Sequence, residues 1–332
     1  MPTPTTTAVI ITAPGQSELR DFPTRGLQPN EVRVANTVSA VSFGTERAVT
    51  TGRLHGTTLP CLLGYQAVGR IVEVGSKVVA YRIGDRVCAG SSSFQPEGYG
   101  QGAGNAHQSH PIVPDKGDWA QKELVRIPEA VSDEEASYAW LMSVSLQGVE
   151  RAHVQMKDVV AVVGLGLVGQ FAAQAARAAG ATVYACDLSA DRVEKARRLS
   201  ADVAIVGDVA ALNAAVRADH PAGASVVIEC TGNTQVLDAA LDLAAREGRV
   251  VLQGHYHGDV KFRFIAAHPQ RLTLFCPCAW MDLRPVLELV RRRKLAVKPW
   301  LGDVFTPDQA PELYRRVHRG DPELFAALIR WS

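Results

Sequence analysis

Residues 158–170 read Asp-Val-Val-Ala-Val-Val-Gly-Leu-Gly-Leu-Val-Gly-Gln. The β-branched run from Val159 to Val163 predicts a buried strand, and it stops at three glycines with the spacing G-x-G-x-x-G. An alanine-rich pattern of helical period follows from Phe171 to Ala179. The stretch therefore predicts a strand, a tight turn and a helix.

Each of the three glycines has a predicted physical role at this turn. Gly164 allows the sharp bend, Gly166 lets the backbone approach a pyrophosphate, and Gly169 lets the helix pack closely on the strand. Leu167 and Val168 lie in the turn that leads to the helix, whose unpaired N–H groups and positive dipole end favour phosphate. We therefore expect a phosphate-bearing ligand, bound by these five residues.

The next strand pattern bears on which dinucleotide binds. Residues Thr182 to Cys186 alternate like a strand and end at Asp187, whose carboxylate is suited to accept hydrogen bonds from the adenosine ribose hydroxyls. The same negative charge would repel a 2′-phosphate. The sequence therefore favours NAD over NADP, although Arg192 on the following helix leaves NADP open.

Strand and helix patterns alternate from residue 159 onward, which predicts a parallel sheet covered on both faces, as in a doubly wound Rossmann domain. Two predicted strands, which begin at Ser225 and Arg249, each end near a glycine at the carboxyl edge of the sheet. Open α/β sheets bind ligands at this edge. The candidates to line the ribose and nicotinamide end are Thr231, Gly232, Gly254 and His255.

The rest of the chain differs in pattern. Short glycine-punctuated strands over residues 1–127 predict a small β-rich, barrel-like domain, followed by the dinucleotide-binding domain over 128–268. Residues 269–332 are expected to return to the first domain and to end in helices, the last one from Pro322 to Ile329. Residues 89–116, rich in Gly, Ser, Gln and His, predict a long surface loop that covers a substrate cleft or is a plain insertion.

Composition excludes several classes of partner. The chain has 332 residues, is 47% hydrophobic and 21% charged, and carries a net charge of +1, which suggests neither nucleic acid nor an anionic membrane as a partner. Its first residues lack the pattern of a secretion signal and no apolar run has membrane-spanning length, so a cytoplasmic location is expected. Of the six scattered cysteines, Cys276 and Cys278 are expected in a buried corner rather than at a metal.

Several motifs resemble the medium-chain dehydrogenase/reductase superfamily across nearly the whole chain. Residues Ser42 to Glu46 resemble its C-G-T-D segment, Gly64 to Gly69 its G-H-E-x-x-G segment, and Gly117 to Ala120 its G-x-x-A segment, in the family's order. The resemblance implies a GroES-like substrate domain, a nicotinamide cofactor and a small-molecule substrate. It also implies a homodimer formed through edge strands near Arg271 to Cys276.

The departures from the family pattern concern zinc. The positions that bind or flank the catalytic zinc hold Phe43, Tyr65 and Gln66, and the third ligand position falls near Leu141 or Met142. The four-cysteine lobe of the structural zinc offers only Cys88 here. Both zincs are therefore expected to be absent. The chain more narrowly resembles the zinc-lacking branch that includes bacteriochlorophyllide hydroxyethyl dehydrogenases and sugar or cyclitol oxidoreductases.

Without zinc, side chains must stabilise the reacting oxygen of an alcohol as it loses its proton. Tyr65 stands at the lost histidine's position and Thr45 where the family keeps a relay hydroxyl, so both are candidates to contact that oxygen. Glu46 is a candidate base or a partner of Arg47, and His255 is a further candidate for proton transfer. A base role for tyrosine would require that its pKa be lowered from near 10. Alternatively, the aromatic side chains simply fill the space left by the metal.

The leading prediction is a zinc-independent, NAD-dependent dehydrogenase of a secondary alcohol, polyol, sugar or biosynthetic intermediate. One alternative is an NADPH-dependent enone or quinone reductase, and another is a non-catalytic dinucleotide-binding sensor. The sequence leaves the identity of the substrate open.

Overall fold

The computed structural model describes residues 4–116, 124–256, 258–278 and 282–332. Packing divides the chain into two units. The first comprises Met1–Trp140, Met281–Arg291 and Trp300–Ser332, and the second comprises Leu141–Trp280 and Arg292–Pro299.

The first unit is β-rich, as the sequence predicts. Its N-terminal part contains β1 (Thr5–Ala13), β2 (Gln16–Pro23), β3 (Glu31–Ala40), α1 (Phe43–Thr50), β4 (Cys61–Leu63), β5 (Ala67–Val74), β6 (Arg86–Ala89), β7 (Gly100–Gly102), β8 (Ile112–Pro114), β9 (Leu124–Arg126) and α2 (Asp133–Ser137). The long strands are rich in β-branched residues, which suit a pleated and half-buried surface.

The second unit alternates helices with strands. It contains most of α3 (Ala139–Arg151), then β10 (Val159–Val163), α4 (Leu167–Ala178), β11 (Thr182–Asp187), α5 (Ala190–Leu199), β12 (Val203–Val206), α6 (Val209–Asp219), β13 (Ala224–Glu229), α7 (Leu237–Asp242), β14 (Ala244–Leu252), α8 (Phe264–Ala267) and β15 (Thr273–Phe275). All strand pairs of its sheet are parallel, in the order β12-β11-β10-β13-β14-β15. This is the doubly wound Rossmann order, so the predicted fold class is confirmed.

The chain then completes the first unit with α9 (Arg284–Arg291), β16 (Asp303–Phe305), α10 (Ala310–Arg319) and β17 (Ala327–Arg330). One sheet has the order β2-β1-β4-β7, and the other has the order β16-β17-β3-β5-β6-β9, with β8 also paired to β3. Helices α1 and α10 contribute Val49, Leu313 and Tyr314 to a core that also contains Val9 and Ile11 of β1.

The unit borders lie later than the predicted borders at 127/128 and 268/269. At the first border, Asp133 of α2 accepts hydrogen bonds from Thr37 of β3 at 2.7 Å and from Arg86 of β6 at 2.6 Å, so this helix packs with the first unit. At the second border, β15 is the sixth strand of the Rossmann sheet.

Two expectations about local structure were wrong. The segment 89–116 is not a surface loop, because it contains β7 and β8 and buries Ala106, His107 and Gln108 completely. Its polar backbone is satisfied inside the unit, where the Asn36 amide donates to the carbonyl oxygens of Ala106 and Gln108 at 3.1 and 2.6 Å. The C-terminal helix belongs to residues 310–319, whereas 327–330 form β17, because their apolar run pairs with β3.

The Cys276 and Cys278 side chains are exposed rather than buried in a corner, since they follow the end strand of the sheet. Within the described parts of the chain, every helix is too short or too polar to cross a membrane.

Candidate functional site

The glycine turn between β10 and α4 has the geometry that the sequence predicts. Gly164 has a φ of +90°, and its N–H donates to the Cys186 carbonyl oxygen at 2.9 Å. A Cβ on Gly169 would stand 1.9 Å from the Gly164 carbonyl oxygen, so only glycine allows this contact between helix and strand. A Cβ on Gly166 would meet nothing within 4 Å. Open space therefore lies beside Gly166, at the N-terminus of the helix that begins at Leu167 and Val168.

Asp187, at the end of β11, is tied directly to this turn. Its two carboxylate oxygens accept hydrogen bonds from the N–H groups of Leu165 at 2.7 Å and Ser189 at 2.9 Å. The Arg192 guanidinium stands 3.6 Å from the same carboxylate. The backbone therefore fixes the Asp187 carboxylate at the carboxyl edge of the sheet, with one arginine beside it.

Glu229, at the end of β13, organises the neighbouring part of this edge, and sequence reasoning missed it. Its fully buried carboxylate accepts hydrogen bonds from the N–H groups of Thr231 at 2.7 Å and Gly232 at 3.1 Å. The hydroxyls of Thr231 and Tyr256 also donate to it. The sequence signal was available, because a charged residue ends the otherwise apolar run Val226 to Ile228.

The ends of β13 and β14 pack backbone against backbone. The N–H groups of Gln253 and Gly254 both donate to the Glu229 carbonyl oxygen at 2.8 Å. A Cβ on Gly254 would stand 2.2 Å from the Gly232 nitrogen, and a Cβ on Gly232 would stand 2.5 Å from the His255 carbonyl oxygen. The structure thus brings Thr231, Gly232, Gly254 and His255 together at the carboxyl edge, with the side chains of Thr231 and His255 exposed.

In the first unit, Tyr65 lies against the start of α1. Its hydroxyl donates to Ser42 Oγ at 2.6 Å. Burial raises the pKa of Tyr65 to about 12; the hydroxyls of Ser42 and Thr45 oppose this rise, and the charge of Glu46 adds to it. Tyr65 is therefore a neutral phenol at physiological pH. The pKa shift is opposite to the one that a base role would require.

Glu46 is fully buried and accepts three hydrogen bonds. Its donors are the Ser42 N–H at 2.8 Å, the Tyr314 hydroxyl at 2.5 Å and His107 Nε2 at 3.1 Å. The expectation that Glu46 holds Arg47 was wrong, because the exposed Arg47 side chain places its guanidinium beside Gly320, where a Cβ would stand 2.5 Å from Arg47 Cζ.

His107 is the least expected member of this cluster, since it lies in the segment predicted to be a surface loop. Its Nδ1 is 2.8 Å from Ser39 Oγ, which also accepts the Trp331 indole N–H at 2.9 Å. The imidazole occupies the space beside Gly64, where a Cβ would stand 2.4 Å from His107 Cδ2. No spacing in the sequence links His107 to Glu46, so this pair could not be inferred without the fold.

Comparison with known proteins agrees with this architecture. The family model described as alcohol dehydrogenase GroES-like domain matches residues 28–131, and the one described as zinc-binding dehydrogenase matches residues 168–292. The chain belongs to the medium-chain dehydrogenase/reductase superfamily.

Relatives of this medium-chain dehydrogenase/reductase span most of its length. Sorbitol dehydrogenase of Halalkalibacterium halodurans is 25% identical over 79% of this chain and 81% of its own, and that of Bos taurus is 24% identical over 96% and 94%. The crystal structure of 2R,3R-butanediol dehydrogenase from Bacillus subtilis superimposes with a TM-score of 0.84 at 20% identity, covering 98% of this chain and 99% of that chain.

Two residues at the zinc positions of the family, Tyr65 and Gln66, have partners within this medium-chain dehydrogenase/reductase. The Tyr65 hydroxyl donates a hydrogen bond to Ser42 Oγ. Gln66 is fully buried, and its amide nitrogen is 3.4 Å from the Ala40 carbonyl oxygen. Across the described ranges, no three His, Cys, Asp or Glu residues lie close enough together to hold a metal ion. The motif Gly117 to Ala120 lies outside the described residues.

Proposed function

We propose that this medium-chain dehydrogenase/reductase is an NAD-dependent, zinc-independent dehydrogenase of a secondary alcohol or polyol, which also reduces the matching ketone. The observation that carries the proposal is the glycine turn with the Asp187 carboxylate fixed by the Leu165 N–H at 2.7 Å. The names of its relatives, sorbitol dehydrogenases among them, support the alcohol or polyol class.

The residues at the carboxyl edge of the second unit fit a dinucleotide. The open space beside Gly166 and the N–H groups of Leu167 and Val168 suit a pyrophosphate. Asp187 suits the adenosine ribose, while the segments that contain Thr231, Gly232, Gly254 and His255 would hold the nicotinamide end. The bound cofactor would supply the hydride acceptor or donor.

The preference for NAD follows from electrostatics. The Asp187 carboxylate has both oxygens fixed by backbone N–H groups, so it cannot turn away from a 2′-phosphate without breaking those hydrogen bonds. Arg192 is 3.6 Å from this carboxylate, and the ion pair reduces the charge that the arginine offers to a phosphate. A preference for NADP would instead favour the enone or quinone reductase.

The side chains at the catalytic zinc positions do not fit zinc. Phenylalanine, leucine and methionine at Phe43, Leu141 and Met142 are not zinc ligands of the usual kind, and the phenol of Tyr65 already donates to Ser42. We therefore propose that hydroxyl groups, rather than a metal ion, contact the reacting oxygen of the substrate. Tyr65 contacts it as a neutral phenol, with Thr45 as the second hydroxyl. Glu46 is not assigned as a base, because its carboxylate is fully buried and already accepts three hydrogen bonds.

Three measurements on the purified protein test the proposal together. Fluorescence titration with NADH and NADPH should show tighter binding of NADH, and a panel of secondary alcohols and polyols should give turnover with NAD. Metal analysis should show no stoichiometric zinc, and activity should survive a chelator. Tighter binding of NADPH would support the reductase, whereas NADH binding without any turnover would support the sensor. A stoichiometric zinc required for turnover would contradict the zinc-independent mechanism.

We also propose a homodimer and a cytoplasmic location. β15 is an end strand of the Rossmann sheet, and an end strand has unpaired N–H and C=O groups available to a second copy. All six cysteines are free, which suits a reducing compartment. Light scattering on the purified protein tests the dimer, and a monomer would contradict it.

A further inference from the structure

Ser42 connects the Tyr65 phenol to the buried Glu46 carboxylate. Its hydroxyl accepts the hydrogen bond of Tyr65 at 2.6 Å, and its backbone N–H donates to Glu46 Oε1 at 2.8 Å. Ser42 stands at the N-cap of α1, yet its side chain makes no capping hydrogen bond. Helix capping, the usual reason for serine at this position, therefore does not explain its hydroxyl.

The Glu46 carboxylate is held from elements that are far apart in sequence. Tyr314 contributes its hydroxyl from α10, and His107 contributes Nε2 from the segment before β8. His107 is oriented in turn by Ser39 of β3 at 2.8 Å. Glu46 accepts hydrogen bonds from these two donors and from the Ser42 N–H. Tyr65 is connected to Glu46 through Ser42.

Stability alone is a poor reason for a charge at this place. A carboxylate buried completely loses its hydration, and well-packed apolar residues of similar volume are often as stable as a buried ionic cluster. Tyr314 itself belongs to a buried hydrophobic core with Val49 and Leu313. The charge and its fixed donors therefore point to an effect on the neighbouring hydroxyl groups.

We propose that Glu46 is a positioning residue, which fixes Ser42 so that Ser42 Oγ receives the Tyr65 hydrogen bond, and which places a negative charge near the Ser42 and Tyr65 hydroxyl pair. This inference rests on the proposed function, in which Tyr65 contacts the reacting oxygen. It adds Ser42 to the site as the hydroxyl that sets the direction of the Tyr65 O–H, and it assigns Glu46, His107 and Tyr314 a role that acts through Ser42.

The Ser42 hydroxyl and the Glu46 charge have opposite effects on the pKa of Tyr65. A nearby negative charge disfavours a phenolate, whereas a hydrogen bond donated to the phenolate favours it. Replacing Glu46 by glutamine should therefore lower the pKa of Tyr65, and replacing Ser42 by alanine should raise it. A purely structural role for Glu46 predicts a loss of stability with no such pair of opposite shifts.

The test is a pH titration of the full-length protein labelled with 13Cζ-tyrosine, with Tyr65→Phe used to assign the Tyr65 signal by NMR. We expect the half-ionisation pH of Tyr65 to fall by about one unit in Glu46→Gln, the usual size of the effect of one nearby charge. In Ser42→Ala it should rise beyond that of the wild type. The matched control is Tyr184→Phe, which removes a tyrosine hydroxyl bonded to Asp219 at 2.6 Å in the second unit and should leave Tyr65 unchanged.

An unchanged Tyr65 titration in a folded Glu46→Gln protein would overturn the proposal. Should that variant fail to fold, Ser42→Ala decides alone, because it leaves the buried charge and its other donors in place. An unmoved Tyr65 signal in Ser42→Ala would then overturn it. The titration needs no substrate, so it is independent of the proposed function. A wild-type protein without cofactor binding would contradict the proposed function and leave the titration result standing.

Discussion

The sharpest test of the dinucleotide site compares two alanine substitutions three residues apart, Gly166→Ala and Gly169→Ala. Both add one methyl group to the same turn, but the structure predicts different consequences. A Cβ on Gly166 meets nothing within 4 Å, whereas a Cβ on Gly169 stands 1.9 Å from the Gly164 carbonyl oxygen. One substitution should therefore affect the ligand and the other the fold.

The cost of Gly169→Ala follows from the overlap. Real Cβ contacts essentially never fall below 3.0 Å, so α4 must move away from β10 by about 1 Å to relieve the clash. Overpacking of this kind costs about 2–4 kcal/mol. For a unit of this size, that loss lowers the melting temperature by about 5–10 °C.

The cost of Gly166→Ala in the free protein is small. Gly166 has a φ of −65° and a ψ of −179°, which alanine also adopts, and replacing an N-cap glycine by alanine costs less than about 1 kcal/mol. In the complex, however, the methyl group occupies the space into which the pyrophosphate must come. We expect the Kd for NADH to rise at least about tenfold, which corresponds to about 1.4 kcal/mol.

Thermal unfolding and NADH fluorescence titration of both variants provide the assay. Wild-type affinity in Gly166→Ala would refute the placement of the pyrophosphate beside this glycine. Wild-type thermal stability in Gly169→Ala would refute the packing argument, because no relaxed position for the methyl group exists without movement of the helix.

Three further predictions concern the carboxylates. Glu229→Ala should lower the free energy of unfolding by about 2–3 kcal/mol, because it leaves four partly buried donors without their acceptor; urea unfolding checks this, and a loss below about 0.5 kcal/mol would contradict it. The Arg25 hydrogen bond lowers the folded-state pKa of Glu31 from 4.5 to about 2, so Glu31 stabilises the fold above pH 4.5 and this contribution is lost as the pH falls towards 2. Glu31→Gln should therefore cost about 1–2 kcal/mol at pH 7 and progressively less below pH 4.5; an equal cost at pH 7 and pH 3 would argue against this. Asp187→Ser should raise the affinity for NADPH relative to NADH at least about tenfold in fluorescence titrations, and an unchanged ratio would exclude Asp187 as the source of the preference.

The second unit was predictable because its signals are local. The short β-branched run Val159 to Val163 favours a buried strand, and glycine is required where φ is +90° at Gly164 and where Gly169 touches the carbonyl oxygen of Gly164. These constraints act within a few residues of one another, so they are visible in the sequence. Each strand-helix-strand connection then follows the right-handed crossover rule.

The first unit was harder because its decisive contacts join distant parts of the chain. His107 lies in a hydrophilic segment, and hydrophilic segments are usually exposed, yet its imidazole fills the space that Gly64 leaves open and reaches Glu46. Tyr314 reaches the same carboxylate from α10. Composition gives the average burial of a residue type, and it cannot identify a particular histidine, such as His107, whose two nitrogens both find partners inside.

The buried cluster also bears on whether the protein is an enzyme or a sensor. A protein that only bound a dinucleotide would need the glycine turn and Asp187, and it would have no use for a charge beneath Tyr65. Apolar residues at the positions of Glu46 and His107 would avoid the desolvation of a carboxylate and an imidazole that are both fully buried. The cluster contributes something else, namely a phenol oriented by Ser42. An oriented phenol oxygen suits a hydrogen bond with the hydroxyl of a substrate, and it therefore favours catalysis over sensing.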